Sequence, residues 1–181
     1  MKITYILPTL NRADSLLKAV TSVLRQTRIP DELIIVDQSL TNESYLKIKQ
    51  IIPNNSILKL VYILDSNISG LIHAEKVGVL KSSGDLIYFG EDDIVLDEDF
   101  CFAIEEGFKQ NPKMVGCSGI ITNPPNQSNF YYYLFNLFHR SIFNDPRVII
   151  SRSFKIEENK LYLSNMISGG ISAWKKKVFK K

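Results

Sequence analysis

Short apolar runs alternating with segments of helical spacing constrain this chain more than any other feature. Ile3 to Leu7 is too short for a buried helix and reads as a buried strand that Pro8 ends. A polar turn, Thr9-Leu10-Asn11-Arg12, follows, and Asp14 or Ser15 is placed to cap a helix on which Leu16, Leu17, Val20, Val23 and Leu24 recur at helical spacing. Pro30-Asp31 breaks that helix. Leu33 to Val36 forms a second strand ending at Asp37, and a helix is expected over Glu43 to Ile51, stopped by Pro53. A strand at Leu60 to Leu64, a helix from Gly70 to Lys81 and a strand at Asp85 to Phe89 repeat the pattern. Strands separated by helices imply an α/β fold with a mostly parallel central sheet flanked by helices. Farther on, Asp97 to Lys109 reads as a helix and Met114 to Ile121 as a strand. Val148 to Ile150, Leu161 to Leu163 and Gly169 to Trp174 are candidate later strands. No repeat or low-complexity linker divides the chain, so one domain over 1–181 is expected.

In open α/β sheets ligands bind beyond the carboxyl ends of the strands. Thr9 to Arg12, Asp37-Gln38-Ser39 and Glu91-Asp92-Asp93 all fall at such ends and so along one edge. The acidic triplet is costly: two like charges about 4 Å apart at an effective dielectric near 20 repel by roughly 4 kcal/mol. Such a cluster is tolerated where a cation is expected, and hard divalent ions take carboxylate oxygens and bridge to substrate phosphates. The plainer alternative is a polar exit from a strand, since Asp is a common turn residue. Convergence with the two other strand ends favours the cation.

Composition excludes several classes. Hydrophobic residues make up 45% and charged residues 23% of 181 positions, the profile of a folded domain. The net charge of +3 is concentrated in Lys175-Lys176-Lys177 and Lys180-Lys181 and is too small to argue for nucleic acid. Cys101 and Cys117 are far apart and lack nearby ligand partners, so neither zinc nor a disulfide framework is indicated and a cytoplasmic setting is expected. The apolar stretch before Pro8 is too short for a signal peptide or a membrane span.

The ordered series Ile6-Leu7-Pro8-Thr9-Leu10-Asn11-Arg12, Ser22-Val23-Leu24-Arg25-Gln26-Thr27 and Asp31 to Asp37 closely resembles the opening of family 2 glycosyltransferases. Gly70-Leu71, Ala74, Gly78, Gly84-Asp85, Phe89 to Asp93 and Gly169-Gly170 with Trp174 to Phe179 continue it. The resemblance implies a GT-A fold and transfer of a sugar, usually with inversion, from a nucleotide-diphosphate donor to a saccharide or lipid-linked acceptor. It also implies a bound Mn²⁺ or Mg²⁺. By position, Asp93 is the direct metal ligand, with Glu91 standing where the family often has the first Asp of its DxD signature. Asp92 would contact the ribose or share the metal, and Pro8, Thr9, Asn11, Arg12 and Asp37 belong to the nucleotide side, within a donor-binding part at about 1–95. Gly169, Gly170 and Trp174 belong to the acceptor-side part, about 96–181. Two departures stand out. Gln38 replaces a second acidic residue and leaves the nucleobase open, because an amide offers both a donor and an acceptor. Glu75-Lys76 replaces Arg-Asn, so Lys76 either supplies charge near the diphosphate or is solvated. An inverting displacement needs a general base. In the family it follows the Gly-Gly strand, so it is expected beyond Lys181, and the chain is expected to be C-terminally incomplete; Glu157 and Glu158 sit in a loop-like stretch and are not promoted to that role.

The aromatic segment Phe130 to Phe138 has three readings: core, a platform for a sugar acceptor, or a contact with a membrane surface at the inner face, with Arg140 and Arg147 at the headgroups. Core is the default. His73 and His139 are read as packed or surface residues rather than bases. A nucleotidyltransferase or a dinucleotide-binding oxidoreductase would carry a Gly-rich loop after the first strand, where this chain has Pro8 to Arg12. The remaining rival is a nucleotide-sugar-binding paralogue without transferase activity.

Overall fold

The computed structural model describes residues 1–52, 56–120, 130, 133–134, 137–138, 167 and 170–179. The chain divides into two compact units, Met1–Ser118 with Gly169–Lys181, and Gly119–Ser168. The first unit runs β1 (Ile3–Thr9), α1 (Ala13–Leu24), β2 (Glu32–Asp37), α2 (Glu43–Ile51), β3 (Lys59–Leu64), α3 (Leu71–Lys81), β4 (Leu86–Phe89), α4 (Phe100–Gln110), β5 (Gly116–Ser118) and β6 (Ser172–Lys175). A 3-10 turn over Lys176–Phe179 follows β6. The strands form one six-stranded sheet in the order β3-β2-β1-β4-β6-β5. The first four are parallel, and β6 lies antiparallel to both β4 and β5. The mostly parallel α/β sheet expected from the sequence is therefore present.

Alternation along the strands builds a core on each face of the sheet. Ile3, Tyr5 and Leu7 of β1, Leu33 and Ile35 of β2, and Leu86 and Tyr88 of β4 pack with Leu16, Val20 and Val23 of α1 and with Ile104 and Phe108 of α4. The intervening residues Ile6, Ile34, Val36, Ile87 and Phe89 pack with Ala74 of α3. A strand buried on both faces reads as a continuous apolar run, which is why Leu33 to Val36 shows no polar alternation. Each such aliphatic side chain withdrawn from water contributes roughly 1.5–3 kcal/mol.

At the amino edge of the sheet a fully buried carboxylate joins four elements. Glu32 accepts hydrogen bonds from Thr4 Oγ1 at 2.8 Å, Lys59 Nζ at 2.9 Å, Ser83 N–H at 2.8 Å and Ser83 Oγ at 3.0 Å. Burial alone would push this carboxyl upward; the donors outweigh it and hold it at about 2. The neighbouring Gly84 has no room for a side chain, since a Cβ there would lie 2.7 Å from the backbone nitrogen of Thr4.

Several boundaries differ from the expected ones for identifiable reasons. β1 continues through Pro8 to Thr9, because the ladder with β4 stops at Ile6–Phe89 and the missing N–H of Pro8 lies beyond it. Neither Asp14 nor Ser15 caps α1: Arg12 holds the cap position and makes no side-chain cap hydrogen bond. α4 starts at Phe100 rather than Asp97, because Cys101 N–H, which a longer helix would bond to the Asp97 carbonyl, donates to Gln26 Oε1 at 2.8 Å. β5 is three residues long instead of eight, limited by its four-residue partner β6. α2 has the expected bounds.

In the second unit, Phe130, Tyr133 and Leu134 are helical, and Phe130, Tyr133, Leu137 and Phe138 are exposed. At those four positions the core expectation is not met. The strands expected at 148–150 and 161–163, together with His139, Arg140, Arg147, Glu157, Glu158 and Gly169, lie outside the described residues. Among the described residues no helix is long and apolar enough to cross a membrane.

Candidate functional site

The parallel register sets the carboxyl ends of β1, β2 and β4 side by side, with Thr9 opposite Asp37 and Ile6 opposite Phe89. Past Phe89 the chain turns at Gly90, whose N–H bonds the carbonyl of Ile6 at 3.0 Å. A Cβ on Gly90 would lie 2.2 Å from the hydroxyl of Tyr5, so this close approach requires glycine. Glu91, Asp92 and Asp93 leave the sheet there.

The three acids part ways. Asp92 is buried, and its Oδ2 accepts from Thr9 Oγ1 at 2.7 Å. Its Oδ1 lies 2.9 Å from Arg12 Nη1, and the same nitrogen is 2.9 Å from Asp93 Oδ2. These hydrogen bonds, Asp92 first, raise the Arg12 pKa further above its ordinary value. Asp93 is half exposed, with 49% of its side chain accessible. Glu91 turns elsewhere: a Cβ on Gly170 would lie 2.8 Å from its Oε1. Among the described residues no three acidic, His or Cys side chains are grouped to hold a metal ion.

Whether Mn²⁺ or Mg²⁺ fits is decided by the remaining pair. Two carboxylate oxygens from Asp92 and Asp93 converge on one cationic nitrogen. Hard oxygen donors focused on a single positive centre suit an ion held by one or two carboxylates together with substrate phosphates. The pair fits such an ion.

The turn carrying Arg12 is itself fixed. Asn11 has φ of +54°, the left-handed region that Asn tolerates better than most residues. Its N–H donates to Ser39 Oγ at 2.8 Å. Ser39 in turn donates from its N–H at 2.9 Å and its hydroxyl at 2.5 Å to Asp37 Oδ1, while Tyr62 OH donates to Asp37 Oδ2 at 2.5 Å. Burial first, then this bond to Asp37, pushes the Tyr62 phenol far up. Asp37 is fully buried with both oxygens engaged, so it supports the Asn11 turn. The next side chain, Gln38, is half-buried, has no side-chain hydrogen bond among the described residues, and holds its backbone N–H to Thr9 O at 3.0 Å. A polar cleft of about 360 Å³ opens beside the turn, lined by Asn11, Arg12, Asp14, Ser39, Glu43 and Ser44 among others.

The other expected residues are dispersed. Pro8 is buried in β1. Lys76 is exposed without an ion pair among the described residues, as a solvated lysine would be. Trp174 lies opposite Ile87, away from the site edge, and packs on the α3 face of the core with its Nε1–H donating to Ser172 Oγ at 3.0 Å. Gly170 is beside Glu91, as above.

The sequence left the roles of four contributors unassigned. Ser39 carried the signal of an Asp two residues earlier in a turn. Tyr62 had none. Ser22 and Gln26 lie in a quoted motif but act structurally: Ser22 Oγ accepts from Leu96 N–H at 3.1 Å, and Gln26 bonds Asp97 O at 2.7 Å and Cys101 N–H at 2.8 Å. They fasten the segment after the acids to α1. Glu75 of α3 is half-buried without an ion pair among the described residues, and burial, then the charge of Glu91, raises its pKa. A carboxyl raised in the folded state favours folding at low pH and loses that advantage as pH rises through its folded value. Glu75→Gln is therefore expected to raise Tm by ~2 °C at pH 7, with the gain vanishing below pH ~4, as thermal unfolding at both pH values would report.

Comparison with known proteins agrees with this architecture. The sequence profile of glycosyl transferase family 2 matches residues 4–181. The chain belongs to that family. It is 38% identical over 93 residues, 51% of this chain and 33% of the relative, to the uncharacterized glycosyltransferase YwdF of Bacillus subtilis (strain 168). Among solved structures it resembles the mannosyltransferase PcManGT from Pyrobaculum calidifontis in complex with GDP-Man and Mn²⁺, with TM-score 0.67, 17% identity, and 98% of this chain against 45% of that one. It also resembles S. aureus TarS 1-349 in complex with UDP-GlcNAc, with TM-score 0.53, 18% identity, and 71% of this chain against 37% of that one. The likeness to these structures is one of fold, and the chain is GT-A in architecture. It spans about a third of the curated relative's length and less than half of either structure's.

Proposed function

We propose that this chain is a glycosyltransferase domain that moves a sugar from a nucleotide diphosphate to a saccharide or lipid-linked acceptor, with Mn²⁺ or Mg²⁺ bound and with inversion. The observation that carries the reading is the convergence of Thr9, Arg12, Asp92 and Asp93 at the carboxyl edge of a parallel sheet in a family 2 chain. The Mn²⁺ and GDP-Man named with PcManGT, and the UDP-GlcNAc named with TarS, support the ligand class.

Asp93, half exposed, is the side chain best able to hold the ion directly, and Asp92 is oriented for it by Thr9. When bound, a divalent cation neutralises the charge that develops on the departing diphosphate. Gln38 presents an unengaged amide at the end of β2, where it can pair with the base of the nucleotide. Pro8 and Thr9 form the adjoining backbone wall.

A thermal-shift screen of nucleoside diphosphates with Mn²⁺ tests the reading. At a concentration about 100-fold above Kd, the matching diphosphate is expected to raise Tm by ~5–10 °C, and by far less with EDTA. No shift with any diphosphate, with or without Mn²⁺, would falsify it.

A further inference from the structure

Arg12 stands in an unusual relation to the acidic pair. A single nitrogen, Nη1, is 2.9 Å from Asp92 Oδ1 and 2.9 Å from Asp93 Oδ2, so one positive centre serves two carboxylates. That is the arrangement a divalent ion would need from the same two side chains, and both cations cannot hold it at once. The surroundings determine which partner yields. Asp92 is buried and tied through its other oxygen to Thr9, so it stays in place. The Arg12 side chain is 54% exposed, so its guanidinium can return to water at small cost. The backbone beneath it is held by the Asn11 N–H bond to Ser39, so departure needs only rotation of the arginine side chain.

We infer that Arg12 is an internal competitor of the divalent cation: it neutralises Asp92 and Asp93 when no metal is bound and must leave them for a metal to bind. The inference rests on the metal-dependent reading proposed above. It makes the site's affinity for bare metal lower than its carboxylates alone would give. It also keeps the two like charges compatible with the fold between donor-binding events.

Mn²⁺ alone, titrated into the full chain with free Mn²⁺ followed by electron paramagnetic resonance, tests this. Arg12→Ala is expected to bind Mn²⁺ about three- to tenfold more tightly than the parent chain, and Asp93→Asn to lose binding in either background. Arg12→Ala should also melt below the parent in EDTA and recover on Mn²⁺ addition, which a residue that merely packed would not do. Equal or weaker Mn²⁺ affinity in Arg12→Ala, with Asp93→Asn still abolishing binding, overturns the competition and leaves the metal-dependent reading standing. Absence of Mn²⁺ binding in both the parent and Arg12→Ala overturns the competition, whereas the metal-dependent reading is overturned separately, by a diphosphate-induced rise in Tm that is the same with Mn²⁺ and with EDTA.

Discussion

Asp93→Ala is expected to weaken Mn²⁺-dependent binding of the donor about 100-fold while leaving the melting temperature nearly unchanged. The asymmetry follows from where the side chain stands. It is half exposed, and its partner is the equally accessible Arg12, so folding gains little from it. Its side chain, by contrast, is the more open of the pair to an ion, at 49% accessible against 8% for Asp92. Calorimetry with and without Mn²⁺ separates the roles: equal donor affinity under both conditions in the parent chain would remove the metal from the site. Asp92 is a poorer probe of the same question, because removing it also leaves the buried Thr9 hydroxyl without an acceptor.

Glu32→Ala should do the opposite, costing about 3 kcal/mol of stability and roughly 10 °C in Tm without touching the ligand edge. Its carboxylate is fully buried at the amino end of the sheet and joins Thr4 on β1, Lys59 on β3 and Ser83 before β4. Truncation leaves the Ser83 N–H and the Thr4 hydroxyl short of an acceptor. The sign with pH is fixed by the depressed pKa. The stabilisation is fully present above the ordinary glutamate value of 4.5 and drains away as pH falls toward about 2. Glu32→Gln keeps the shape but should lose that pH dependence, which acid titration of thermal stability would show.

The fold was legible in the sequence because doubly buried parallel strands have no choice but to be apolar. Leu33 to Val36 and Leu86 to Phe89 announce themselves, and Gly90 then announces where the chain must leave the sheet. The edge that carries the site followed from the strand order. What stayed hidden was the division of labour among adjacent residues of the same type. Glu91, Asp92 and Asp93 look alike in sequence, yet one turns toward Gly170, one is buried against Thr9 and one faces water. Asp37, expected on the nucleotide side, accepts from Ser39 and Tyr62, and the Tyr62 contact is a consequence of β3 packing that no local pattern encodes. Element starts were blurred for a similar reason: the long-range bond from Cys101 N–H to Gln26 delays α4.

The side-chain amide of Gln26 has one further consequence. It is 3% exposed, too deep to meet any ligand, yet its three bonds hold the segment after the acids to α1 while the β4 ladder holds the segment before them. The acids are thus anchored from both sides, like a short span between two piers. Substitutions that impair this protein's chemistry will not map onto its ligand footprint alone. Some of the most damaging will fall at buried positions on the far side of a helix, and an experimenter who reads them as contact residues will draw the binding surface too large.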